Sequence, residues 1–127
     1  MIPQRPTWCE IDLSAVTENL ATLREMVGPK VAIFVCLKGD ANGCGDIAVG
    51  RAVQGAGVAG VAFGNLDRAV AAREGSLHAP ILLYPTVLPN AASFLERHDM
   101  MPTVSTLDNM MRVFWDYNSM FSWHNSP

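Results

Sequence analysis

The amino-acid sequence predicts an α/β protein with a parallel sheet. First, patterns typical of helices and of strands alternate along the chain, which is the arrangement of repeated βα units. Second, residues 31–37 form an almost unbroken apolar run, which is typical of a strand covered on both faces. Third, the predicted strands end near Leu37, Phe63, Tyr84 and Val104, and this spacing suits successive βα units.

Each element has its own signal. The first helix rests on apolar residues that recur at helical spacing between Leu13 and Val27, and Gly28 marks its end. Ser14 and Asp46 are predicted to cap the first two helices, and Ser105 the last one. The predicted elements are helix 14–27, strand 31–37, a helix from 46 to 55 or 57, strand 58–63, a helix from 65 or 67 to 75, strand 80–84, helix 90–98, strand 101–104 and a last helix from 105.

Four βα units amount to half of an eight-unit barrel, which usually needs about 250 residues. Half a barrel leaves two open sheet edges, and each is a site for pairing with another chain. The structural rival is a doubly wound five-strand sheet, which closes a domain at this length. The sequence disfavours it, because no Gly-x-Gly-x-x-Gly follows the first strand.

Composition bounds the function. The chain has 127 residues, half of them apolar, and a net charge of −3, which indicates one folded domain and no nucleic-acid partner. No apolar run approaches the roughly 18 residues of a membrane span, and the start lacks the apolar core of a signal peptide, so a cytoplasmic location is expected. The three cysteines lack zinc-like pairing and the histidines are scattered, so no metal site is predicted.

Lys38 stands at the downstream end of the first predicted strand, before a loop of small residues. The carboxyl edge of a parallel sheet is where α/β proteins place their chemistry. An amine that is partly shielded from water there can lose its proton at neutral pH and attack a carbonyl. The alternative interpretation is a surface lysine before a turn.

The loop resembles the cofactor-lysine motif of the alanine racemase family, whose usual form is Lys-Ala-Asp-Ala-Tyr-Gly-His-Gly. Five positions match it, namely Lys38, Asp40, Ala41, Gly43 and Gly45, and three depart from it, namely Gly39, Asn42 and Cys44. The segment from Arg5 to Ser14, running into Asn19-Leu20, is similar to the opening of that family, and Pro102–Ser105 is similar to a strand-to-helix signature of its barrel. The resemblance covers only the first part of a family member.

The resemblance implies a partial TIM (β/α) barrel of about four βα units and the cofactor pyridoxal 5′-phosphate, bound covalently by Lys38. Lys38 is then the catalytic and cofactor-binding residue. Asn42 takes the place of the tyrosine that helps to hold the phosphate, with a shorter donor. The implied substrate is a small amino acid, alanine first, and the implied assembly is a homodimer or an association through open sheet edges. In the family, the second acid/base group is a tyrosine from a later domain of the partner subunit.

Three functions stay open at this stage. They are an alanine racemase part that interconverts L- and D-alanine, a non-catalytic truncated paralogue that binds the cofactor weakly, and a half-barrel interaction module. Whether the chain is an enzyme by itself stays open too. The predicted organisation is a strand-like segment 1–13, a partial barrel 14–114 and an irregular tail 115–127.

Other polar residues receive structural interpretations. Cys36 is expected to be a small core residue, Cys44 a bystander thiol, Tyr84 a strand-end residue with its hydroxyl in water, and Asp40 a turn or cap residue. The arginines of the helices are expected on solvated faces; they are Arg24, Arg51, Arg68, Arg73 and Arg97.

Overall fold

Four parallel strands pair in the order in which they occur along the chain. The computed structural model describes residues 7–84 and 88–113. A doubly wound sheet would reverse its strand order at a switch point, whereas a barrel adds each strand beside the one before it. The predicted partial barrel is therefore confirmed. The strands are β1 (Phe34–Cys36), β2 (Gly60–Phe63), β3 (Ile81–Leu83) and β4 (Met100–Pro102).

Helices precede and connect these strands, and the sequence predicts all of them except α2. In chain order they are α1 (Leu13–Val27), α2 (Lys38–Gly43), α3 (Asp46–Gly55), α4 (Leu66–Glu74) and α5 (Ala92–Arg97), with a 3₁₀ turn at Pro89–Ala91 and further helix at 107–113. α1 packs against α3, and α3 packs against α4. α2 is a single short turn, described below.

One face of the sheet carries the core. Side chains from β2 and β3 pack there with residues of α3, α4 and the loop before β3, and the largest fully buried ones are Phe63, Leu37, Leu77, Ile81, Val53 and Val61. On the other face, Phe34 and Met101 are exposed to 44% and 41%. The expectation that the strand at 31–37 is covered on both faces is therefore wrong for the described residues, because their helices lie on one side.

Several boundaries differ from the prediction for local reasons. Asp12, not Ser14, caps α1: its carboxylate accepts from the backbone N–H of Ser14 at 2.9 Å. Residues 7–12 lie in neither helix nor strand, so the strand-like part of the first segment is not seen there. Gly45, not Asp46, holds the cap position of α3. Asn65 caps α4 as predicted, accepting from the N–H of Arg68 at 3.1 Å.

The last helix of the described residues lies at 107–113. The helix at 107–113 begins beside Thr106, whose hydroxyl oxygen accepts from the N–H of Asn109 at 3.1 Å. Across the described ranges, no helix combines the length and the apolar character that crossing a bilayer requires. The predicted tail at 115–127 lies outside the described residues.

Candidate active site

Lys38 lies where the sequence places it, at the carboxyl end of β1. It is the first residue of α2 and is exposed. Leu37, directly before it, is 1% exposed and points into the core, where its Cδ1 lies 3.1 Å from the position that a Cβ on Gly50 would take. A Cβ on Gly64, just after β2, would lie 3.8 Å from the Lys38 Cβ. The buried leucine thus anchors the lysine beside the ends of two adjacent strands.

The loop after Lys38 is a left-handed turn. Gly39, Asp40, Ala41 and Asn42 have φ values of 61°, 57°, 53° and 57°. For residues other than glycine this conformation costs roughly 1–2 kcal/mol each. Backbone hydrogen bonds hold the turn, including Gly45 N–H to the Asp40 carbonyl at 2.9 Å and Ala41 N–H to the Leu37 carbonyl at 3.0 Å. The sequence predicts a loop here but not its handedness.

A cavity of about 240 Å³ opens beside Lys38. Its walls come from the ends of β1 and β2 and from the start of α4; the lining residues are Leu37, Lys38, Gly39, Phe63, Gly64, Asn65 and Arg68. Asn42 is exposed on the turn and is not among these lining residues. The structure therefore places both predicted site residues on one turn, but only the lysine faces the cavity.

An ion pair between a buried carboxylate and a half-exposed guanidinium lies next to the turn. Asp46, in the first turn of α3, is 1% exposed, and its carboxylate accepts from Arg68 Nε at 2.9 Å and from Arg68 Nη2. Hydrogen bonding from Arg68 lowers the pKa of Asp46 below its ordinary value of 3.8, against the opposing effect of burial. Asp40 Oδ1 accepts from the Asp46 N–H at 2.9 Å and lies 3.5 Å from Arg68 Nη2.

These contacts correct one prediction and refine another. Arg68 is not simply on a solvated face, because its guanidinium pairs with a buried carboxylate. Asp40 is a turn residue, as expected, and it also links the turn to α3. Arg73 departs from the solvated-face prediction as well: its guanidinium donates to the carbonyls of Leu77, Ala79, His98 and Asp99 at 2.7–3.0 Å.

Cys36 and Tyr84 form a second polar pair near Lys38. Their Sγ and Oη atoms are 2.6 Å apart. The prediction of a core position for Cys36 is wrong, since its side of β1 faces away from the helices and is exposed. Burial opposes ionisation of this thiol, but hydrogen bonds from Tyr84 and the Lys38 backbone and the Lys38 charge outweigh it and lower its pKa below 9.0.

Tyr84 responds in the opposite direction. The hydrogen bond with Cys36, together with burial and the charge of the thiolate, raises the pKa of Tyr84 to about 12. The hydroxyl is therefore bound to sulfur and is not simply in water as expected.

Cys44 is half-buried and packs against the core. Among the described residues, no group of three or more histidine, cysteine or acidic side chains is placed to hold a metal ion.

Comparison with known proteins extends this picture. The family model described as "Alanine racemase, N-terminal domain" matches residues 11–114. The alanine racemase of Halothermothrix orenii is 36% identical over 117 residues, which is 90% of this chain and 31% of that protein. The chain thus spans about a third of the length of that curated relative.

Solved structures agree on the fold. The crystal structure of alanine racemase from Bacillus anthracis with bound L-Ala-P superposes with a TM-score of 0.80 at 27% identity, over 99% of this chain and 31% of that one. Alanine racemase from Bartonella henselae with covalently bound pyridoxal phosphate gives a TM-score of 0.72 at 20% identity, over 87% and 30% of the two chains. Because the family model matches most of its length, this chain belongs to the alanine racemase N-terminal domain family.

Proposed function

We propose that this chain is the cofactor-lysine part of a pyridoxal 5′-phosphate-dependent alanine racemase, with Lys38 as the residue that binds the cofactor covalently. The observation that carries the proposal is the position of Lys38. It stands at the carboxyl end of a parallel strand, exposed, beside a cavity of about 240 Å³ and anchored by the buried Leu37. That edge of a barrel is the usual place for catalysis.

The amine at the cavity and a donor on the adjoining turn suit such a cofactor. An aldehyde needs a primary amine, and Lys38 supplies the one that lines the cavity. A phosphate needs hydrogen-bond donors, and the amide of Asn42 is an exposed donor four residues further along the same turn. We therefore assign Lys38 as catalytic and cofactor-binding and Asn42 as cofactor-binding.

Racemisation requires proton transfer at the α-carbon on both faces of a planar centre. When bound, the cofactor takes up the electron pair that remains when the α-proton leaves. Lys38, set free when the substrate's own amine takes its place on the cofactor, would carry that proton on one face. Tyr84 is poorly suited to act as the second base at neutral pH, because its pKa of about 12 keeps its proton in place. Since the family takes its second acid/base tyrosine from a later domain of the partner subunit, we expect the purified chain alone to lack racemase activity.

The relatives support a substrate, and the open sheet edges support a partner. Their name supports alanine, or a similar small amino acid, as the substrate. We propose residues 14–114 as the barrel part and a second copy of the chain as its partner, with a cytoplasmic location. β1 and β4 are the outer strands of the described sheet, so association through these edges is the route that the fold offers. Light scattering tests the dimer.

Trapping of the cofactor tests the role of Lys38. Purified chain is mixed with pyridoxal 5′-phosphate, reduced with borohydride and mapped by peptide mass spectrometry. Lys30 is the matched control, because it is the only other lysine of the chain and is also exposed. We expect label on Lys38 with little on Lys30, and Lys38→Ala removes it whereas Lys30→Ala leaves it unchanged.

Two outcomes contradict the proposal. Equal labelling of both lysines means that Lys38 has no special affinity for the aldehyde. Conversion of L- to D-alanine by the purified chain, abolished in Lys38→Ala, refutes the expectation of inactivity. For Asn42, pyridoxal without its phosphate is the control. Asn42→Gly removes the amide and keeps a residue that adopts φ 57° without strain, so it should lower trapping of pyridoxal phosphate about tenfold, as for one charged hydrogen bond, and leave trapping of pyridoxal unchanged.

A further inference from the structure

We propose that Arg68 is a positioning residue for Lys38: through Asp46 and Asp40 it holds the α2 turn in its left-handed form. The inference rests on the proposed function of Lys38, because it explains how that lysine is kept beside its cavity. The argument starts from the juxtaposition of three charged side chains from three elements, which are α2, α3 and α4.

The centre of this arrangement is the carboxylate of Asp46. It is the one buried charged residue among those described, and both of its oxygens accept from the guanidinium of Arg68. The planar fork of arginine suits such two-point contact, which a lysine ammonium does not reproduce. Removal of Arg68 leaves a buried carboxylate without its cation, and the first turn of α3 must then rearrange or take up water.

Asp40 transmits the effect to the turn. Its side chain accepts from the Asp46 N–H at 2.9 Å, and its carbonyl accepts from the Gly45 N–H at 2.9 Å. Asp40 itself has φ 57°, which a residue with a side chain adopts only when contacts compensate for the strain. The two hydrogen bonds and the nearby guanidinium are those contacts. Loss of Arg68 therefore weakens the compensation at the strained residue.

Arg68 also lines the same cavity as Lys38. The cavity beside Lys38 is lined by Arg68 and by Gly39, the first left-handed residue of the turn. A turn that relaxes at Asp40 shifts Gly39 and Lys38 with respect to the fixed wall at Phe63, which is 1% exposed in the core. The expected consequence is a misplaced amine in a fold that is otherwise intact.

The test compares Arg68→Ala with Arg112→Ala in the full chain. Arg112 is the matched control, because it also makes an ion pair, with Asp108 at 2.9 Å, but on an exposed helix surface away from the turn. Amide hydrogen exchange is the first readout. In Arg68→Ala we expect exchange at Gly45 and Asp46 to rise about tenfold, as for one lost charged hydrogen bond, while exchange in β2 and β3 stays as in the parent chain.

The second readout is the ratio of borohydride-trapped pyridoxal phosphate on Lys38 to that on Lys30. This ratio should fall several-fold in Arg68→Ala, remain low in Arg68→Lys and be unchanged in Arg112→Ala. Asp40→Ala is a second variant that spares the buried pair, and it should reproduce the fall. Because Asp40 and Arg68 act through one turn, the double variant should lose little more than either single one.

The outcomes separate this inference from the proposed function. Unchanged exchange at Gly45 and Asp46 in Arg68→Ala overturns the positioning role, as does an equal rise throughout β2 and β3. If the parent chain shows no preference for Lys38 over Lys30, the proposed function fails, and exchange at Gly45 and Asp46 still decides whether Arg68 holds the turn.

Discussion

Gly60 offers a sharp test of how the sheet is packed. It is the first residue of β2 and pairs in register with Phe34 of β1. A Cβ at this position would overlap the edge of the Phe34 ring, and it would lie 2.7 Å from the carbonyl oxygen of Pro80. The ring can rotate away, since it is 44% exposed. The carbonyl cannot move freely, because it accepts from the Val61 N–H at 2.9 Å across the β2–β3 pair.

The expected magnitude follows from these two contacts. Extra atoms in a packed site that force a backbone shift cost typically about 1–3 kcal/mol of unfolding free energy, and we expect Gly60→Ala to fall in that range. Gly55→Ala is the matched control. It lies at the end of α3 with no atom within 4 Å of its added Cβ, so it should be neutral or stabilising by up to about 1 kcal/mol.

Urea denaturation followed by circular dichroism measures both free energies. Phe34→Ala in the Gly60→Ala background separates the two contacts: it relieves the ring overlap and leaves the clash with the Pro80 carbonyl. We therefore expect the double variant to stay less stable than Phe34→Ala alone. If the unfolding free energy of Gly60→Ala equals that of Gly55→Ala, β1 and β3 do not approach β2 as closely at this residue as the structure shows.

Two further predictions concern titration. The pKa of Asp46 is lowered in the folded chain, so the ionised carboxylate stabilises the fold fully above its unfolded pKa near 3.8. This stabilisation is lost as the pH falls through the lower folded value. Acid unfolding curves should show the loss below about pH 4, and Asp46→Asn should remove that part of the pH dependence. The hydrogen bond with Cys36 contributes most to the raised pKa of Tyr84, so Cys36→Ala should bring that pKa from about 12 back towards 10. Spectrophotometric titration measures it in a Tyr117→Phe background, which leaves Tyr84 as the only tyrosine. An unchanged pKa contradicts the pairing.

The fold was largely predictable because its signals are local. The apolar run before Lys38, the capping residue Asn65 and the glycines that follow the helices each act within a few residues of the chain. Those signals predict alternating βα units, a parallel sheet and the place of Lys38, whereas the partial barrel is what the resemblance to the alanine racemase family implies. Strand limits were less predictable: the apolar run at 31–37 gives only the three-residue β1, because pairing with β2 and not apolar character decides where a strand ends.

The side-chain network of the site was not predictable from local patterns. Asp46 and Arg68 are 22 positions apart, and Cys36 and Tyr84 are 48 apart. No spacing rule joins such pairs until strand order brings the ends of β1, β2 and β3 together. The prediction of a core position for Cys36 is wrong for a related reason. Apolar neighbours in sequence do not tell on which face of a strand a side chain lies, and here helices cover only one face.

Two of the three departures from the family motif, at Gly39 and Asn42, have the same physical effect. The usual motif has alanine and tyrosine at the positions of Gly39 and Asn42, and the structure holds both positions at φ near 60°. Glycine adopts this conformation without steric cost, and asparagine is among the residues that tolerate it best. Both departures therefore reduce the strain of the turn that begins at Lys38. The lower backbone strain comes with a shorter side chain, because asparagine reaches less far towards a phosphate than tyrosine does. Under the proposed function, this turn would be easier to form and weaker as a phosphate anchor, and placement of Lys38 by Arg68, Asp46 and Asp40 would carry a larger share of cofactor binding.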